Sequence, residues 1–169
     1  MKALTIWQPW ASLIVAGAKP YEFRGWRAPR SLIGQRIVIH AAARKIALPE
    51  VVDLFVTLRD RDLSKDHRAD AAMTCLHAEK ALPILARAWS PGDNPLPMSA
   101  GIGTAIIGEP RNGLEIAAEF GVPRANDSDR DQHANWGWPM LEVEPWDLPI
   151  AMKGRQGFWN WLTPDEVIA

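Results

Sequence analysis

The chain has 169 residues, 47% of them hydrophobic, a length and composition that support one packed core better than two. Its formal net charge of -1 excludes the overall basic field that drives nonspecific duplex binding, so any nucleic-acid role has to rest on a local patch. Cys75 is the single cysteine, which excludes an internal disulfide framework and predicts a reducing, cytoplasmic setting.

Residues 3–7 alternate weakly and predict a short strand. Pro9 suits the first position of a helix and Gly17 the position just past its end, with Trp10, Leu13 and Ile14 on one face. The apolar run after Met1 and Lys2 resembles a secretory leader. Gln8 and Pro9 interrupt it, however, and cleavage near Ala18 would detach the helix from the charged segment that follows. No apolar run reaches membrane-spanning length. Tyr21 and Phe23 then alternate with Glu22, Arg24 and Trp26, which predicts an extended segment with rings on one side and the polar set on the other.

Residues 34–42 are rich in β-branched side chains and predict a strand with His40 near its end. Leu48, Val52, Phe55 and Val56 are spaced for a helix over 48–60. An alanine-rich pattern predicts a second helix over 68–89, broken at Pro83, with a solvated charged loop between the two. Ser90 to Pro97 reads as a connector. Ala100 to Glu109 reads as a strand whose glycines imply a bulge or a close backbone approach. Residues 121–135 form a polar loop, followed by strands over 138–144 and 148–152 and a closing element over 157–162. There is no internal repeat. Strands at both ends with helices between them predict the α+β class, as a small β-barrel or strongly curved sheet decorated by helices. The regular alternation of a parallel βαβ fold is missing.

Lys19, Glu22 and Arg24 place three charges in six residues of an otherwise apolar stretch. They form either a solvated ion pair of small worth or a site in which Glu22 orients the cations toward an anionic or amide-bearing ligand. A desolvated lysine can also act as a base. Trp26, Trp136 and Trp138 are candidate stacking faces for bases, although core or rim packing is the commoner use of a tryptophan, which is well buried on average. Arg111, Arg124, Arg130, Lys153 and Arg155 are scattered candidates for phosphate contacts. His67, Cys75 and His77 lack zinc-ligand spacing, and no Walker, Rossmann or Gly-x-Ser-x-Gly pattern occurs, so no metal and no cofactor are expected.

Three of these stretches carry a resemblance. Trp-Gln-Pro-Trp-Ala-Ser-Leu at residues 7–13, Gly17-x-Lys19-x-x-Glu22-x-Arg24 with Trp26, and the tail Pro-Ile-Ala-Met-Lys-Gly-Arg-Gln-Gly-Phe-Trp are similar to the ASCH domain, named for homology to the activating signal cointegrator. The similarity spans residues 3–42 and about 100–162, which makes 46–90 a helical insertion within one domain of residues 1–169. It implies a PUA-like β-barrel in which the Lys/Glu/Arg segment lines a cleft, and a role near RNA or modified nucleosides. The expected function is binding of RNA or a nucleotide-like ligand by Lys19, Glu22, Arg24, Trp26, His40 and Lys153. One alternative is hydrolysis of RNA or of an N4-acylated cytidine-type nucleoside, with Lys19 as base and Glu22 assisting. A second is a coactivator-type protein partner held by the insertion. The family's hydrolytic branch uses a threonine where Glu22 stands here, and a carboxylate cannot perform a hydroxyl's acyl chemistry. Ser12 is the serine or threonine nearest to Lys19 in sequence.

Overall fold

In the computed structural model, which describes residues 1–63, 75–122 and 135–162, strands and helices follow the chain in a mixed α+β order. They are β1 (Lys2–Ile6), α1 (Trp10–Val15), β2 (Tyr21–Arg24), β3 (Arg36–Ala41), α2 (Leu48–Leu63), α3 (Ala78–Trp89), β4 (Ala100–Ile107), β5 (Arg111–Asn112), α4 (Gly113–Phe120), β6 (Trp136–Ala151) and β7 (Phe158–Asn160). The sheet order is β2-β6-β4-β3-β1-β7, with the short β5 beside the start of β6. Among the described residues, only the pairing of β1 with β3 is parallel.

The sheet curls into a half-barrel. Trp138 of β6 and Phe158 of β7 lie far apart in the strand order, yet their rings stack with centroids 5.7 Å apart and planes within 11°. Bulges supply the bend, one where Ile102 of β4 is left over opposite Ile39 and His40 of β3, and two where β4 meets β6. At the first of the β4 bulges a side chain on Gly101 would come within 2.5 Å of the Trp161 ring, which is the close approach that its glycines imply.

The inner face of the curl is filled by Leu4, Ile6, Ile37, Ile39, Ala105, Ile107 and Trp138, and α1 plugs it with Trp10, Leu13 and Ile14. Val51, Leu54 and Leu58 of α2 and Ala81, Leu85 and Ala88 of α3 extend the same core at helical spacing, so both helices of the 46–90 stretch are packed on it. A second, smaller cluster of Ala3, Val38, Trp159 and Trp161 lies on the outer face, where the chain after β6 wraps back.

Three details differ from the sequence-based expectations. Described helix begins at Ala78 rather than 68, residues 68–74 lying outside the described residues, and it runs through Pro83 without ending there. Pro83 and Glu79 both lie on the exposed side of the helix, where the loss of the proline's N–H is best tolerated, while Ala81 and Leu85 hold the helix from the buried side. The two strands expected over 138–144 and 148–152 are one, β6. Its irregularity survives as a bulge in which one residue of β4 faces four of β6, between the pairs Gly103↔Pro145 and Gly101↔Ile150. Pro145 borders that bulge and Pro149 lies within it, where a missing N–H is tolerated. Thirdly, Pro9 sits at the cap of α1, and the capping acceptor is the residue before it. The buried Gln8 Oε1 accepts from Ser12 N at 3.1 Å, and its Nε2 donates to Ser12 Oγ and to the Pro97 carbonyl, both at 2.8 Å.

Candidate functional site

The end of α1 aims the site. Gly17 adopts φ +67°, and the amides of Gly17 and Ala18 return to the carbonyls of Ile14 and Leu13 at 2.8 and 2.9 Å. This is a Schellman turn, in which only glycine takes the left-handed position without strain. Lys19 N bonds to the same Leu13 carbonyl at 3.0 Å, so the backbone of the lysine is fixed to the helix end. Its side chain is 2% exposed. Nζ lies 5.0 and 5.8 Å from the ring centroids of Phe23 and Trp10, donates to the Tyr21 carbonyl at 2.5 Å, and stands 3.5 Å from Glu22 Oε2.

The pairing of β2 with β6 decides which way the other charges point. Glu22 is opposite Trp138 and Arg24 opposite Trp136, so these four share a face, the one that turns toward the inner core. Tyr21 and Phe23 take the other face, where Phe23 packs with Ile116, Ala117, Val122 and Cys75 beneath α4. Rings and charges alternate as expected, but both faces are covered, and that is why the charges are buried. The Glu22 side chain is only 8% exposed, and its Oε1 accepts from Arg24 at 2.8 Å. Lys19, Glu22 and Arg24 therefore form an enclosed triad and not a solvated surface pair.

Aromatic rings wall the triad. The Arg24 guanidinium carbon is 5.9 Å from the ring centroids of both Trp26 and Trp138, and those two rings meet edge to face at 6.4 Å. Trp138 is fully buried and donates from Nε1 to the Trp26 carbonyl at 3.0 Å, whereas Trp26 is 55% exposed. Trp138 is thus core and Trp26 the presentable face. Beside them Arg27 stacks on Trp136 at 4.5 Å and pairs with Glu109 at 3.0 Å. Sequence reasoning missed Arg27, the Trp10 and Phe23 rings beside Lys19, and Phe158 stacked on Trp138. The tryptophan pair in Trp-Gln-Pro-Trp was the signal for Trp10, while nothing local indicates that Phe158 reaches Trp138.

His40 and Lys153 do not join this cluster. His40 is 1% exposed on the outer face of β3, beside Thr5 and the Trp159 ring. Trp159 Nε1 donates to Thr5 Oγ1 at 3.0 Å. The hydroxyl then serves His40 Nδ1 at 3.3 Å, and His40 Nε2 donates to the Met152 carbonyl at 2.9 Å. Burial lowers the His40 pKa, with the Met152 bond partly opposing it. Lys153 is exposed on the segment that covers this histidine, as is Arg155.

Arg111 is engaged with Glu119 and with the Tyr21 hydroxyl, which raises the arginine's pKa and lowers the glutamate's. Ser12 is buried against Gln8. Cys75 is buried and His77 lies against Phe120, while His67, Arg124, Arg130 and most of the 121–135 loop lie outside the described residues. Among the described residues no group of three or more His, Cys, Asp or Glu could hold a metal ion, and no helix is long and apolar enough to cross a membrane.

No curated protein matches the chain in sequence. Solved structures similar to it include the ASCH protein from Zymomonas mobilis, at 14% identity and a TM-score of 0.49 over 99% of this chain and 90% of that one. A serine-to-alanine mutant of the same protein gives 15% identity and a TM-score of 0.49, covering 99% and 91%. A tyrosine-to-phenylalanine mutant gives 15% identity and a TM-score of 0.47, covering 99% and 93%. The ASCH domain model matches residues 4–89, a span that runs from β1 through the charged triad and both packed helices to the end of α3. With just over half of the sequence matched and a curled sheet in the described residues, the chain belongs to the ASCH domain family and has its PUA-like fold.

Proposed function

We propose that this chain binds RNA or a nucleotide-like ligand at the Lys19–Glu22–Arg24 triad, with Trp26 stacking on a base. One observation carries the reading: two cations and a carboxylate are enclosed at the inner face of a curled sheet, directly beside an indole that is more than half exposed. Enclosed charge is unfavourable for folding and needs another reason to be kept, and cation-flanked aromatic faces are how unpaired bases are held. With a net charge of -1, the chain must rely on such a local patch.

Binding is favoured over turnover by the state of the groups. Lys19 Nζ donates to a carbonyl and faces a carboxylate, the posture of a proton donor and not of a base. The nearest serine hydroxyl before Lys19, that of Ser12, is tied to Gln8. Titration of a short single-stranded RNA, a DNA duplex and free nucleosides by fluorescence anisotropy or calorimetry, at several salt concentrations, tests the reading. Trp26→Ala is expected to leave melting nearly unchanged and to weaken binding of the single strand by roughly tenfold, since a stacked base is worth about 1–3 kcal/mol. Absence of binding to all three at low salt, or an unaffected Trp26→Ala protein, would overturn it.

A further inference from the structure

The surface beside Trp26 carries a second flat group. Arg27 lays its guanidinium over the Trp136 ring, with the central carbon 4.5 Å from the ring centroid, and donates from Nη2 to Glu109 at 3.0 Å. Both supports are fixed. Trp136 is paired with Arg24 of β2 and with Asn112 of β5 and packs against the main core, while the chain at Glu109 is tied by the neighbouring Gly108 N, which donates to the Pro139 carbonyl at 2.8 Å. The Arg27 side chain is nevertheless 55% exposed. With the indole on one face and the carboxylate on one edge, solvent reaches the outer face. An arginine on a surface ordinarily samples many rotamers, but this one is held as a flat cation, and guanidinium planes, like aromatic rings, are faces on which unpaired bases stack.

We infer that the site takes two adjacent unpaired nucleotides of a single strand, one base on Trp26 and its neighbour on the outer face of Arg27. The inference rests on the nucleotide-binding reading above and adds the second base. Spacing carries it. Trp26 rides on Trp138, edge to face at 6.4 Å, and Arg27 rides on Trp136. Those two supports are two residues apart on one face of β6, which puts them about 7 Å apart along the strand. Neighbouring bases in a duplex are stacked about 3.4 Å apart, so a duplex cannot lay successive bases on both platforms. An unpaired strand can splay them. Arg24 lies 5.9 Å from the Trp26 ring and directly across from Trp136, so the backbone joining the two bases passes beside its guanidinium.

Calorimetric titration of the full chain at low salt tests this with adenylyl-adenosine and with the methyl ester of adenosine 5′-monophosphate, which carries the same phosphodiester charge and only one base. The dinucleotide is expected to bind the parent roughly tenfold more tightly, the worth of one further stacked base. Arg27→Ala should make the two affinities nearly equal. Arg27→Lys should do the same, because an ammonium keeps the charge and loses the flat face. Arg27 is exposed, so both variants should melt close to the parent, and the comparison of the two probes on the parent stands by itself if either fails to fold. Equal affinities in the parent, or a dinucleotide preference that survives Arg27→Ala or is kept in full by Arg27→Lys, overturns the second platform while leaving nucleotide binding at Trp26 intact. If neither probe binds, the nucleotide-binding reading fails and this inference with it.

Discussion

Glu22→Ala is the sharpest probe of the triad. It removes a carboxylate that stands 3.5 Å from Lys19 Nζ and 2.8 Å from the Arg24 guanidinium, so two neighbouring cations lose the negative charge between them. At a separation of roughly 6–8 Å and an effective dielectric of about 20, their repulsion is about 2–3 kcal/mol. Removing one partner of a buried pair costs about 3–5 kcal/mol in general, and the partial exposure of Arg24 places this case at the low end, near 3 kcal/mol. For a chain of this size that is a fall in Tm of about 6–12 °C. Circular-dichroism melts of parent, Glu22→Ala and Glu22→Gln at low and high salt measure it. The glutamine, which keeps the shape and an acceptor oxygen, should fall between the other two. Added salt should recover only part of the loss, since enclosed charges are weakly screened. A Tm for Glu22→Ala within about 2 °C of the parent would refute the reasoning, because it would mean that the carboxylate is solvated and the cations do not need it.

Two other perturbations test the frame around the triad. Gly17→Ala meets no obstacle nearer than the flexible Lys80 Nζ at 3.5 Å, so its expected loss of about 1–2 kcal/mol in urea unfolding comes from the left-handed backbone alone, and weaker ligand binding should accompany it because the same turn aims Lys19. His40 is buried with its pKa lowered, so the unfolded chain takes up the proton first. Stability is fully present above about pH 6.5 and is lost as pH falls from there through the lower native value, a slope that urea unfolding at stepped pH should show in the parent and not in His40→Gln.

Much of this arrangement is legible in the sequence where the signal is local. Pro9 and Gly17 bracket α1 to within a residue, and the β-branched run Arg36–Ala41 announces β3 because nothing else suits it. Lys19, Glu22 and Arg24 lie within six residues, so a single helix end and a four-residue strand suffice to bring them together. What periodicity could not show is which covered face each residue takes. His40 has the same strand-end position whether it points into the curl or out of it, and the parity that turns it outward is set by Ile37 and Ile39 filling the inner face. Lys153 is equally illegible, since its place depends on the chain after β6 folding back over His40, a long-range contact made through Gly154 and the Met152 carbonyl. Pro83 misleads because local propensity says that a helix ends there, whereas burial of Ala81 and Leu85 on either side holds it together.

The triad also separates what stability wants from what a ligand wants. A buried ionic triad is weak support for a fold, and replacing all of its members by apolar side chains of similar size is often neutral or stabilising, by about 1–4 kcal/mol. The surroundings here are suited to that exchange: Lys19 lies between the rings of Trp10 and Phe23, Glu22 faces Trp138, and Arg24 lies against Trp26 and Trp138. The combined variant Lys19→Met, Glu22→Leu, Arg24→Met removes all three charges at once, so no cation is left to lose its carboxylate as in Glu22→Ala. It is expected to melt at or above the parent temperature while losing all measurable binding of a short single-stranded RNA. Differential scanning calorimetry and anisotropy titration on the same preparation test both halves. A triple variant less stable than the parent by more than about 3 kcal/mol would mean that the charges are structural, kept for the fold. One that is stable and still binds RNA like the parent would place the ligand elsewhere on the molecule.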